Sequence, residues 1–179
     1  MYTRYFKEST EILYHGTSKK IKQDILNSGF KLTTGKRSGT FGAVREVENL
    51  GIFLTNSREL AWGFAENRFD RQDSAIIKVQ VNTSNFLNMM SWNKTIDKDI
   101  KKKGQELILA YYGVKKTKPG VEQYWWLLDQ KDFVNLIKQK GFDGVIIEES
   151  KTVKRNLGVS GQDIKTYFVI DPKLIKIVE

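Results

Sequence analysis

Residues Ser74 to Val81 constrain the fold most. Ala75, Ile77, Val79 and Val81 alternate with Ile76, Lys78 and Gln80. A period of two places one set of side chains on each side of an extended chain. The run therefore predicts a central strand with a continuous apolar face. Short apolar runs flank it on both sides in the sequence. Glu11–Tyr14 and Ile52–Thr55 precede it; Val145–Ile147, Tyr167–Ile170 and Leu174–Val178 follow. The last of these reads as an edge strand.

Helical signals lie between the strands. Ser18 is placed to cap a helix running to about Asn27, with Ile21, Ile25 and Leu26 on one face and Gly29 as its stop. Ser57 is placed to cap a second through about Asn67, with Leu60, Ala61, Phe64 and Ala65 inward. Residues 92–140 are helical in character: Gly104–Tyr112, Gln123–Leu128 and Lys131–Lys140, the last with a Phe133, Val134, Ile137 stripe. Lys98–Lys103 reads as a solvated turn or helix end. Residues 33–50, rich in glycine and hydroxyl side chains, read as one long loop. Strands at both ends with helices between them, and no clean βαβ alternation, predict an α+β fold in one domain spanning 1–179.

The 179 residues contain no cysteine and a single histidine. Disulfide frameworks and thiolate or histidine-rich metal sites are thereby excluded. No run approaches the ~20 apolar residues that span a bilayer, and the start of the chain does not read as a secretory signal. A cytoplasmic address and no membrane partner are the expectation. The net charge of +9 suits a polyanionic partner such as a nucleic acid or a nucleotide, or else reflects solvated lysines.

The single histidine, His15, lies in Leu13-Tyr14-His15-Gly16-Thr17. Gly51-Ile52-Phe53-Leu54-Thr55 follows, then Glu59-Leu60-Ala61-Trp62-Gly63-Phe64-Ala65, which sets Phe64 eleven residues after Phe53. Near the end come Gly141-Phe142-Asp143-Gly144-Val145-Ile146-Ile147 and Tyr167-Phe168-Val169-Ile170-Asp171-Pro172. In this order and spacing the chain resembles the histidine-type ADP-ribosyltransferases. This is the diphtheria-toxin and poly(ADP-ribose) polymerase branch, and the likeness is nearest to phage and bacterial polyvalent-protein ADP-ribosyltransferase domains. It covers residues 12–81 and 141–177; the helices of 92–140 stand outside it as an insertion.

The resemblance implies a split β-sandwich-like core with peripheral helices. It implies NAD⁺ as co-substrate, no metal, and transfer of ADP-ribose to a protein or nucleic-acid acceptor. His15 would hydrogen-bond a ribose hydroxyl. Gly16, with Thr17 beside it, would hold the nicotinamide carboxamide through its backbone. Phe53 and Phe64, with Ala61 between them in sequence, would sandwich the nicotinamide ring by stacking and cation–π attraction. Lys36, Arg37 or Arg45 would hold the pyrophosphate. The polymerases carry a catalytic glutamate where this chain has Thr166. Gln162 ranks first as its substitute, and Glu148 or Glu149 second. Two other readings stand beside the transferase. One is an RNA 2′-phosphotransferase of the same fold, which the basic charge suits although no arginine lies close to His15. The other is a catalytically inactive binding module, for which Thr166 argues. A phage or bacterial effector, with or without a cognate inhibitor, is the setting that the resemblance implies.

Overall fold

A computed structural model describes residues 9–38, 44–92, 96–113, 119–149, 151–159 and 163–178. Nine strands and six α-helices are formed by them: β1 (Thr10–Ser18), α1 (Lys19–Ser28), β2 (Thr34–Ser38), β3 (Val44–Glu48), β4 (Ile52–Thr55), α2 (Arg58–Arg68), β5 (Ser74–Asn82), β6 (Phe86–Asn88), α3 (Lys98–Tyr112), α4 (Val121–Leu128), α5 (Lys131–Gln139), β7 (Gly144–Glu148), α6 (Lys151–Asn156), β8 (Lys165–Val169) and β9 (Ile175–Ile177). Seven strands form one sheet in the order β6-β7-β8-β4-β1-β5-β9, while β2 and β3 pair only with each other. The architecture is mixed α+β.

The strand at 74–82 is central in the way its alternation predicts. β5 pairs along its whole length with β1, from Thr10 opposite Asn82 to Ser18 opposite Ser74. Ala75, Ile77, Val79 and Val81 are buried, and a fully buried isoleucine or valine side chain contributes about 1.5–3 kcal/mol. On the same face, Leu13, Leu54, Tyr167 and Val169 join them, with Ile25 and Phe30 packed against the cluster from α1 and just beyond it. The opposite face carries a second cluster. Val145, Ile147, Phe168 and Ile170 meet Ile100, Ile108, Tyr124, Leu127, Leu128, Phe133, Val134 and Ile137 from α3, α4 and α5.

Both predicted serine caps are in place. Ser18 Oγ accepts from the Ile21 N–H at 3.2 Å, and Ser57 Oγ accepts from the Leu60 N–H at 3.1 Å. Gly29 closes α1 at φ 75°, in the left-handed region that glycine tolerates.

One expectation is corrected. Residues 33–50 are not one loop: β2 and β3 form an antiparallel ribbon, closed at its base by the Asn49 N–H donating to the Thr33 carbonyl at 3.1 Å. Such a ribbon satisfies its backbone by local pairing, so it needs no apolar periodicity to declare it. Of the two readings of Lys98–Lys103, turn or helix end, the helix end holds: the run opens α3, whose cap is Asp97. Helices 92–140 form the crossover between β6 and β7, the sheet's one parallel pair among the described strands. A parallel pair requires such a long connection. No helix among the described residues is long and apolar enough to cross a membrane.

Candidate active-site cleft at the parting of β1 and β4

β1 and β4 are neighbours, yet they share one register position, Tyr14 opposite Thr55. Past Tyr14, β1 continues through His15, Gly16 and Thr17 while pairing with β5. β4 instead pairs with β8 throughout, from Ile52 opposite Val169 to Thr55 opposite Thr166. The two halves of the sheet therefore part at His15 and Gly16. The gap is bridged by the histidine ring, whose Nδ1 lies 2.9 Å from the Phe53 carbonyl oxygen.

That contact fixes the imidazole's chemistry. A carbonyl only accepts, so Nδ1 carries the proton and Nε2 carries the lone pair. Burial lowers the His15 pKa below 6.5; the Phe53 carbonyl pulls it upward, and the Arg68 charge adds to the lowering. The ring is thus a neutral acceptor at physiological pH, suited to receiving a hydrogen bond from a hydroxyl.

A depressed folded-state pKa means that the unfolded chain binds the proton more tightly. The stabilisation is complete above the unfolded value of 6.5 and is lost as pH falls through the folded value. With one histidine in the chain, a single imidazole NMR signal reads this directly. It should titrate below 6.5, and His15→Gln should remove the corresponding loss of stability on acidification. A midpoint above 6.5 would contradict the assigned hydrogen bond and burial.

Gly16 faces α2. A Cβ built on it would lie 1.9 Å from the Ala61 carbonyl oxygen and 3.2 Å from the Ala65 backbone nitrogen. The glycine is therefore demanded by the close seating of α2 on β1. Ala61 is buried at this contact, and Thr17 is buried one residue on, with the side-chain parity of His15. His15 takes the Ile77 side of the sheet, where its ring meets Phe30 edge-on at 5.3 Å. It reaches the other half of the cleft through the Phe53 main chain.

Phe53 and Phe64 lie on the side of the sheet that α2 and α4 cover, and both touch one further ring. Trp125 of α4 stacks on Phe53 at 4.6 Å and 29°, and meets Phe64 edge-on at 6.4 Å and 64°. Phe53 also leans on Phe168 at 4.8 Å. Trp125 is half-buried and touches both phenylalanines. The open groove beside α2 lies on its other flank, about 390 Å³ in volume, between Arg58, Glu59, Trp62 and Glu66 of the helix and Leu157 and Val159.

Thr166 is 1% exposed, and its hydroxyl donates to Glu149 Oε2 at 2.9 Å; Glu149 itself is 2% exposed. Thr166 lies opposite Thr55, two residues beyond Phe53 and on the same side of the sheet. A buried carboxylate is thus held beside the position where the resemblance expects a glutamate. Glu148 is exposed, opposite Lys165, and alternation turns it to the other face, so it is not brought to this cluster. Gln162 lies outside the described residues. Arg37 and Arg45 are brought opposite each other at one register position of the β2–β3 ribbon, with Lys36 beside them. No group of three or more potential metal ligands occurs among the described residues.

No family model and no curated protein matches the sequence. Among solved structures the chain is similar to a protein described as an anti-CRISPR protein. The identity is 10%, over 98% of this chain and 100% of that one, with a TM-score of 0.39. Likeness at that level carries neither fold nor function to this chain.

Proposed function

We propose that the protein is an ADP-ribosyltransferase that uses NAD⁺ in the cleft where β1 and β4 part, with Glu149 supplying the carboxylate that Thr166 lacks. The observation that carries this reading is convergence. His15, Gly16, Phe53 and the Thr166–Glu149 pair are distant in sequence, yet all border that parting, the His15 ring on the Ile77 side of the sheet and joined to the Phe53 carbonyl, Phe53 and the Thr166–Glu149 pair on the other side.

NAD⁺ supplies a cationic nicotinamide already disposed to leave its ribose. His15 contributes a neutral Nε2 acceptor that orients a ribose hydroxyl. Gly16 offers a strand edge that β4 leaves behind. Phe53 provides an aromatic face for a flat cation. Glu149 places negative charge where ribose becomes electron-poor, and burial makes that charge act more strongly than it would in water. Thr166 is a positioning residue that holds the Glu149 carboxylate through its hydroxyl. The acceptor is a protein or a nucleic acid, and the +9 charge favours a polyanion. The Lys36, Arg37 and Arg45 ribbon is assigned the pyrophosphate.

Two Thr166 variants test the role given to Glu149. Thr166→Val keeps the shape and removes the hydrogen bond. It should slow NAD⁺ turnover about tenfold with little change in NAD⁺ affinity, a loss within the range of one charged hydrogen bond. Thr166→Glu sets a second carboxylate against Glu149 in a buried site, where like charges resist joint ionisation. It should lower both stability and activity. A Thr166→Glu protein more active than wild type would show that Glu149 does not fill the role.

A second reading, a catalytically inactive binding module, is favoured by one observation: Trp125 fills the slot assigned to nicotinamide. Nicotinamide release from NAD⁺ by wild type and by a Trp125 variant separates the two readings.

A further inference from the structure

Resting on the NAD⁺ reading, we propose that Trp125 is an internal occupant of the nicotinamide slot, so that α4 is a closure element and nicotinamide must displace the indole to bind. An indole stacked on Phe53 at 4.6 Å and edge-on to Phe64 at 6.4 Å occupies the space that a nicotinamide ring would need between them. Both are flat aromatic systems, the indole the larger, and one face of Phe53 takes only one of them.

α4 is built to present this residue. It is an eight-residue helix whose neighbours Tyr124, Leu127 and Leu128 point into the core, while Trp125 and Trp126 are only half-buried. Its first turn is tied by the Gly120 N–H to Gln123 Oε1 at 2.8 Å. Trp126 leans on Tyr111 and Tyr112 of α3 at 4.7 and 5.6 Å, and Tyr111 is 48% exposed. Its anchorage is also imperfect. The Tyr124 hydroxyl and the Trp92 indole N–H beneath it are buried without a hydrogen-bond partner among the described residues, their rings 5.8 Å apart. Unsatisfied buried polar groups destabilise the packing that contains them. A site that is competent only when its closure element opens binds more weakly by the open fraction.

The test is calorimetry of nicotinamide and of NAD⁺ binding to wild type, Trp125→Ala and Trp125→Phe. Trp125→Ala should bind both ligands about tenfold more tightly than wild type, as removal of a competing conformation requires. Trp125→Phe restores a stacking ring and should return affinity towards the wild-type value. Wild-type protein carrying 5-fluorotryptophan provides a measure that requires no variant to fold. Of its four tryptophan signals, the one assigned to Trp125 should move most when nicotinamide is added. Equal affinity in wild type and Trp125→Ala, with an unmoved Trp125 signal, would overturn the closure while leaving the NAD⁺ reading intact. No binding of either ligand to any of the three proteins at millimolar concentration would overturn the NAD⁺ reading itself.

Discussion

Glu149→Gln should lower the rate of nicotinamide release from NAD⁺ by about a hundredfold to a thousandfold, the usual cost of removing one preorganised charge or donor from an active site. The change is nearly isosteric. The amide oxygen still accepts from the Thr166 hydroxyl, which now donates to Glu149 Oε2 at 2.9 Å, so the fold and the cleft's shape should survive. The loss should therefore fall on turnover rather than on NAD⁺ affinity. Glu149→Ala is a poorer variant, since it leaves a buried hydroxyl unpaired at about 1–3 kcal/mol. A Glu149→Gln protein that keeps its full rate would remove Glu149 from the chemistry. Glu148→Gln serves as the internal control: that residue is exposed at the end of β7, on the other face, and its loss should leave the rate unchanged.

Gly16→Ala should destabilise the protein by more than about 3 kcal/mol, at or beyond the upper end of ordinary overpacking. The added methyl would stand 1.9 Å from the Ala61 carbonyl oxygen, and both are on backbone that cannot rotate away. Either α2 lifts from β1, or the β1–β5 ladder distorts. For a chain of this size such a loss lowers the melting temperature by roughly 6–12 °C. Lifting α2 also moves Phe64 and Ala61, so any folded remainder should bind NAD⁺ poorly. A melting temperature within about 2 °C of wild type would mean that α2 does not seat on Gly16 as described.

The strands and the capped helices were legible in the sequence because each rests on local signals. The alternation in 75–81, the Ser18 and Ser57 caps and the Phe133–Val134–Ile137 stripe need no knowledge of partners. The β2–β3 ribbon was not legible, because Thr34–Ser38 and Val44–Glu48 carry no apolar alternation and pair only with each other. Three-residue β6 is too short to show a period, and six-residue α6 carries no apolar stripe. The choice between Glu148 and Glu149 could have been made from sequence. Val145 and Ile147 face inward, and the same parity carries on to Glu149, while Ile146 and Glu148 take the other side. Trp125 was out of reach of such reasoning. Its place against Phe53, 72 positions away, depends on how the β6–β7 crossover lays α4 across the sheet. The parting of β1 and β4 was equally hidden, since it is set by which strands β8 and β5 claim as partners.

The most direct measurement of the central claim uses the chain's single histidine. The His15 imidazole signal should be followed by NMR while NAD⁺ is added to wild type and to Trp125→Ala. A ligand seated at the parting of β1 and β4 puts a ribose hydroxyl on Nε2. A saturable shift of the His15 signal is therefore expected in both proteins, at lower NAD⁺ concentration in Trp125→Ala. An imidazole signal that stays unmoved in both proteins at millimolar NAD⁺ would contradict the claim.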